Sequence, residues 1–351
     1  MIFRQLFDSK SSTYTYLLAD ELSAEAVLID PVLEQVSRDL ALVKELGLTL
    51  KTTLDTHCHA DHVTGAWLIK QKTSSKIACA GITNATNVDL ELSHGDIITV
   101  GKYQIEVLAT PGHTEGCLSY VCHSEKMVFS GDTLLIRGCG RCDFQGGDAS
   151  KLFDSINQHI FSLPDHYALY PGHDYAGRCS SSIAEEKQYN TRLGGQASKS
   201  DFVGFMNNMT LQHPKHIEVA VPANLKCGEI PNVPTAPDWA PVEITYAGIY
   251  EVTPIWVSHH IEQLTVIDVR DTNETDEGKI AHSLLIPLSE LTGEVDQIPN
   301  DKPIVTFCRS GRRSALAVSI LNAAGFIKVA NINGGLLNWK EQGLPLENLS
   351  Q

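Results

Sequence analysis

Between Thr56 and Ala66 the chain reads THCHADHVTGA, which places His57, His59, Asp61 and His62 within six consecutive positions. Imidazoles crowded this closely point to a cation among them, since neutral imidazole and carboxylate are both ligands for divalent first-row metals. Further along, His113 follows EVLATPG, Asp132 follows MVFSG and His173 follows YALYPG. That makes seven nitrogen or carboxylate ligands, each just behind a strand-like run. Loops held at strand ends are where sites are built. Isolated histidines such as His94, His159 and His259 lack this company and read as ordinary polar residues. A second reactive stretch is TFCRSGRRSALA, Thr306 to Ala317. Here a strand ends at Cys308, a loop follows, and a helix is expected from about Ser314. Loop amides and the helix N-terminus would converge on the sulfur, with Arg309, Arg312 and Arg313 nearby. Such surroundings stabilise a thiolate, and the same nest would hold sulfonate, sulfite or thiosulfate.

The elements that must position these groups fall into two regions. In the first, YTYLLAD, AEAVLID, YQIEVLATPG, LSYVCH and KMVFSGD read as strands. VSRDLALVKELGL and ASKLFDSINQHIFSL carry apolar residues at helical spacing. His57 and His59 are expected on a loop after KTTLD, with Asp61 and His62 at the start of the next helix. The second region gives strands in QLTVIDVRD, GKIAHSLLIPL, KPIVTFC and KVANINGG, and helices in SALAVSILNAAG and GLLNWKEQG. Short β-branched runs separated by helices predict a parallel sheet covered on both faces. Between the regions, IPNVPTAPDWAPVE holds four of the fifteen prolines and reads as an extended linker. The expected division is 1–229, a linker at 230–243, and 244–351.

At 351 residues the chain is long enough for two cores. A net charge of −15 argues against nucleic acid or an anionic membrane as partner. The N-terminus breaks its apolar letters with Arg4, Asp8 and Lys10, giving no signal-peptide core, and no run is long enough to span a bilayer. A cytoplasmic location is therefore expected. Nine cysteines without a framework spacing read as free thiols. Cys139 and Cys142 form a C-x-x-C, but no second pair exists to close a zinc site.

The ligand order H-x-H-x-D-H, then His, Asp and His, resembles the metallo-β-lactamase superfamily over about Met1 to Gly228. The resemblance implies an αββα sandwich with metal at one edge, and in most members metal-assisted hydrolysis, often with two zinc ions. More narrowly, GDTLLIRGCGRCDFQGGDASKLFDSI, LYPGHDYAG and VPANLKCG are similar to the persulfide dioxygenases. That resemblance implies one Fe(II) per chain, held by His57, His113 and Asp132. Two histidines and one carboxylate suit ferrous iron because they leave positions free for substrate and O₂. His59, Asp61, His62 and His173 would then orient the ligands by hydrogen bonds. Tyr175 stands where the family has a tyrosine able to hydrogen-bond a ligand of the metal. The implied substrate is glutathione persulfide, whose carboxylates need cations; Arg141 and Arg178 lie on nearby loops and can grip a carboxylate with two bonds. Asn224 and Cys227 are expected to line the same pocket.

Cysteine phosphatases carry arginine six positions after the cysteine, whereas rhodanese sulfurtransferases have a loop one residue shorter. The sixth position here is Ser314 and the fifth Arg313, so Ile244 to Leu346 resembles a rhodanese, with Arg309, Ser310, Gly311, Arg312, Arg313 and Ser314 as its loop. The combined expectation is an α/β chain that oxidises glutathione persulfide with O₂ to sulfite and glutathione. Its Cys308 would shuttle sulfur among thiosulfate, sulfite and glutathione persulfide, and a homodimer is compatible with the sequence. Two rivals stay open: a dinuclear hydroxyacylglutathione hydrolase of glyoxalase II type, and a non-catalytic persulfide-binding carrier. Only about fifty residues separate His173 from the prolines, little room for the helical substrate region such hydrolases append.

Overall fold

A computed structural model describes residues 1–209, 216–230 and 237–347. The chain divides into two units, Met1–Val233 and Pro234–Gln351, each with its own cores. Residues 231–236 of the expected linker lie outside the described residues.

In the first unit, β1 (Ile2–Asp8), β2 (Thr13–Ala19), β3 (Glu25–Ile29), β4 (Thr49–Leu54), β5 (Lys76–Ala80) and β6 (Leu90–Leu92) form one sheet in chain order. The first three are antiparallel and the rest join in parallel. β7 (Ile97–Val100), β8 (Tyr103–Ala109), β9 (Leu118–Cys122), β10 (Met127–Gly131), β11 (Ala168–Pro171) and β12 (Ser181–Ser182) form the second sheet. Every neighbour there is antiparallel except β10 beside β11.

The sequence of β2, TYTYLLA, shows why two sheets stack. Tyr14, Tyr16 and Leu18 face the second sheet's Ile105, Val107, Tyr120 and Phe129. Leu17 and Ala19 point the other way, to Val36, Leu42 and Ile69 on α1 (Val36–Glu45) and α2 (Ala66–Thr73). A strand buried on both faces reads as a continuous apolar run. The second sheet's outer face is covered by Leu152, Ile183 and Phe202 from α3 (Ala149–Ser155), α4 (Ile183–Tyr189) and α5 (Lys199–Asn207). The layering is αββα, as expected. Another helix, α6 (Ile217–Asn224), follows.

Parallel pairing does the positioning. Ile29 pairs with Leu54, so the loops after β3 and β4 leave the sheet side by side. Gly131 pairs with Pro171, which does the same for Asp132 and His173. His113 lies in the β8–β9 connection, and the Leu118 amide donates to the Thr56 carbonyl at 2.7 Å, tying that connection to the His57 loop.

In the second unit, β13 (Glu243–Ile244), β14 (Tyr250–Val252), β15 (Thr265–Asp268), β16 (Leu284–Leu285), β17 (Ile304–Phe307) and β18 (Val329–Ile332) take the order β13-β14-β18-β17-β15-β16. All pairs but β13–β14 are parallel. One face packs on Val257 of α7 (Pro254–His260) and on Leu336 and Trp339 of α10 (Gly335–Glu341). The other packs on Leu291 of α8 (Leu288–Glu294) and on Ala317, Val318 and Leu321 of α9 (Arg312–Ala323). Trp239, Ala240 and Val242, from the proline-rich stretch, pack against the first of these faces. GKIAHSLLIPL supplies only a two-residue exposed edge strand, because its neighbours turn away to enter α8.

Candidate metal centre and thiol site

His57 follows β4 by three residues, and one ligand atom each from His57, His113 and Asp132 lies within 4.8 Å of the others. Hydrogen bonds fix which atoms those are. Thr56 Oγ1 donates to Asp30 Oδ2 at 2.8 Å, so it can only accept from His57 Nδ1, 3.0 Å away. The Arg141 carbonyl accepts from His113 Nδ1 at 2.6 Å. Both histidines thus present an unprotonated Nε2. Burial, with the neighbouring histidines adding to it at His57, lowers the pKa of each, keeping both neutral. Asp132 Oδ1 accepts from His173 Nδ1 at 2.6 Å, leaving Oδ2, which lies 3.8 Å from His113 Nε2. Two imidazole lone pairs and one free carboxylate oxygen fit a small divalent cation.

The turn after His57 differs from expectation, because α2 starts at Ala66 and not near Asp61. The loop is tied elsewhere. Gly65 N donates to Pro31 O, and Leu33 N to Val63 O. Asn224, at the end of α6, donates to the His59 and His62 carbonyls at 2.9 Å each and accepts from Thr64 N at 2.8 Å. These bonds take the backbone groups a helix would need for itself. Gly228 fits this packing, since at φ +85° an added Cβ would lie 2.1 Å from the Thr64 carbonyl.

Of the four residues expected around the ligands, His173 bonds to Asp132, and on its other side to Asp61 Oδ2 at 3.0 Å. His59 bonds Asp30 Oδ1 at 3.2 Å, and His62 bonds Asp61 at 3.0 Å. His59 Nδ1 and His62 Nε2 are buried without a partner, and with Asp61 they make a second group that could hold an ion. Thr13, which no sequence motif singles out, sits 3.0 Å from His173 Nε2 and 3.3 Å from His62 Nδ1.

His57, His113 and Asp132 open onto a cavity of about 310 Å³. Arg137, Arg141, Arg178 and Arg192 all line it, as does Tyr175, whose ring stacks on His173. Arg141 bonds Asp143 (2.6 Å), Arg178 bonds Asp174 (2.9 Å), and Arg137 pairs with Glu185 and Glu186. The Arg192 guanidinium bonds the Cys139 carbonyl (2.8 Å) and its sulfur and lies over the Phe205 ring, and among the described residues it pairs with no carboxylate. Sequence reasoning missed it, since it lies on a turn far from any ligand motif. Asn224 and Cys227 do not line this cavity. The Asn224 amide is used on the loop, and the Cys227 thiol donates to the Thr86 carbonyl at 3.1 Å.

In the second unit Cys308 directly follows β17, buried. Gly311 takes φ +89° and lets α9 begin at Arg312, two residues earlier than expected. Burial works against the thiolate. A hydrogen bond from Ser314 and the amides of Ser314, Ser310 and Arg313 outweigh it, holding the thiol below its ordinary value. Ser314 Oγ is 3.4 Å from the sulfur. Arg313 bonds Glu274 at 2.6 and 2.8 Å, while Arg309 and Arg312 are exposed.

Residues 10–173 match the metallo-beta-lactamase superfamily and residues 253–342 the rhodanese-like domain. The Mus musculus protein named persulfide dioxygenase ETHE1, mitochondrial, is 46% identical over 228 residues, 65% of this chain and 89% of that protein. The crystal structure of ETHE1 from Myxococcus xanthus is 51% identical, covers 65% of this chain and 100% of its own, and superposes with a TM-score of 0.63. A metallo-beta-lactamase structure from Staphylococcus aureus subsp. aureus COL covers 95% of this chain and 98% of its own at 24% identity and a TM-score of 0.61, a likeness of fold. Among the described residues no helix is long and apolar enough to cross a membrane. The chain therefore belongs to the ETHE1-like persulfide dioxygenases of the metallo-β-lactamase superfamily, and carries a rhodanese-like domain at its C-terminal end.

Proposed function

We propose that the first unit oxidises glutathione persulfide with O₂ and water to sulfite and glutathione at one ferrous iron, and that the second transfers sulfur through Cys308. The observation that carries the reading is the His57, His113 and Asp132 group on an arginine-lined cavity, in a chain 46% identical to a persulfide dioxygenase. Bound by those three residues, Fe(II) supplies the redox chemistry with O₂. The protein's part is orientation. Thr56 and the Arg141 carbonyl hold both imidazoles with Nε2 forward, and His173 holds Asp132. Arg192 and Arg141 take the two glutathione carboxylates, Arg141 in competition with Asp143. In the second unit the Cys308 thiolate attacks the outer sulfur of thiosulfate. The S–S bond breaks, sulfite leaves with the electron pair, and the cysteine persulfide is left with its charge near the loop amides. Glutathione thiolate then takes the outer sulfur, giving glutathione persulfide and freeing Cys308. A cytoplasmic location is part of this reading.

The unpartnered His59 Nδ1 and His62 Nε2 beside Asp61 favour one alternative, a dinuclear hydrolase using both groups. Metal analysis of the purified active protein separates the two. One iron per chain is expected, lost together with O₂ consumption in His57→Ala, His113→Ala or Asp132→Ala. His62→Ala keeps the iron and turns over more slowly. Two tightly bound metals at full occupancy overturn the mononuclear reading, and a protein that binds persulfide but neither metal nor O₂ would leave only a persulfide carrier.

A further inference from the structure

Behind Cys308 lies a hydrogen-bonded line that the sulfur-transfer reading does not use. Ser314 Oγ is 3.4 Å from Cys308 Sγ but only 2.6 Å from Asn331 Oδ1. Asn331 Nδ2 donates to Glu251 Oε1 at 2.8 Å, and Glu251 Oε2 accepts from Asn333 Nδ2 at 2.6 Å. Cys308, Ser314 and Asn331 are all buried, and strand register sets the line, since Asn331 on β18 pairs with Glu251 on β14 and with Thr306 on β17.

A serine hydroxyl has one hydrogen and cannot serve both neighbours at once. A carboxylate only accepts, so Glu251 fixes the Asn331 amide with its nitrogen outward and its oxygen towards Ser314. With Cys308 as a thiol, every donor runs one way: S–H to Ser314, Ser314 to Asn331, Asn331 to Glu251. To solvate the thiolate, Ser314 must turn its hydrogen to the sulfur and leave Asn331 Oδ1 buried without a donor, a costly state. The amide cannot flip to relieve this while Glu251 holds it.

We propose that Glu251 and Asn331 are positioning residues for Cys308, competing with its sulfur for the single Ser314 hydrogen and so tempering the thiolate. A thiolate that is less stabilised is the stronger nucleophile. In the persulfide form the inner sulfur needs no donor, and Ser314 rests on Asn331 without conflict, so the line favours the sulfur-loaded state. The other charged groups facing the loop are Arg309, Arg312 and Arg313 on it, Glu274 and Asp271 bonded to Arg313, and the Asp268–Arg270 pair at the end of β15. The proposal rests on reading Cys308 as a sulfur carrier, but its test reads the thiolate itself.

The test follows iodoacetamide alkylation of Cys308 in the full chain against pH, read by mass spectrometry on the Cys308 peptide. Glu251→Gln frees the amide to flip and Asn331→Ala removes the competing acceptor. Each should move the alkylation midpoint down by about half to one pH unit, the worth of one hydrogen bond. In a Ser314→Ala background, Glu251→Gln should add no further shift. An unmoved midpoint in folded Glu251→Gln or Asn331→Ala overturns the proposal. So does a shift that survives Ser314→Ala, because that would be the removed charge acting through space. Should Glu251→Gln fail to fold by circular dichroism, Asn331→Ala decides on the same criterion. A chain that titrates as described yet transfers no sulfur keeps the positioning line and overturns the carrier reading.

Discussion

Thr56 gives its only hydroxyl hydrogen to Asp30, and that decides which nitrogen of His57 faces the cavity. Thr56→Val keeps the shape and removes the bond. Metal affinity, measured by competition with a chelator, should fall about 10- to 100-fold, as is usual when a ligand loses its orienting partner. Unchanged affinity would mean that the ring is held by packing alone. At the cavity wall, Arg192→Ala and Arg141→Ala should raise KM for glutathione persulfide far more than they lower kcat, because uniform binding is lost. Each charge-assisted bond is worth on the order of 1.5–3 kcal/mol. Steady-state kinetics check this, and an unchanged KM with metal intact assigns the arginine to structure. The crowded histidines were legible in the sequence because their type and spacing are uncommon. Asp30 was not, since it reaches Thr56 across 26 residues through strand register, which composition does not display. Arg192 was equally hidden, as a lone arginine on a turn carries no pattern.

At the scale of elements, the strands that deliver the site showed themselves as apolar runs ending in chemistry-bearing residues. The start of α2 did not, because the bonds that hold residues 59–64 out of a helix come from Asn224 on α6, 160 to 165 residues away. Asn224→Ala strips partners from two buried carbonyls and one amide. Thermal or urea unfolding of the full chain should show the first unit destabilised by on the order of 2–4 kcal/mol. Metal should bind more loosely, while Cys308 alkylation stays as in wild type. A loss below about 1 kcal/mol would show that water replaces the asparagine without penalty. Gly140 is a second such point: an added Cβ would lie 2.5 Å from the Asp132 carbonyl and 2.7 Å from His113 Nδ1, which accounts for glycine between Cys139 and Arg141. The short strands β6 and β7 escaped sequence reading, being too brief for period-two alternation to stand out.

For the whole molecule, fusion of the two units has a chemical logic. Sulfite is a product of the proposed oxidation and a partner in the proposed transfer, and tethering raises the local concentration of whatever passes between them. Cys308→Ser tests this most directly, replacing a thiol held below its ordinary value by the Ser314 hydrogen bond and the loop amides with an alcohol that stays protonated. Oxygen uptake is followed with thiosulfate and glutathione as the only sulfur sources, and again with ready-made glutathione persulfide. Wild type should consume O₂ in both cases; Cys308→Ser should consume it only from the persulfide. Equal O₂ uptake from thiosulfate by wild type and Cys308→Ser would contradict the coupling, and failure of Cys308→Ser on ready-made persulfide would contradict the division of labour between iron and thiol.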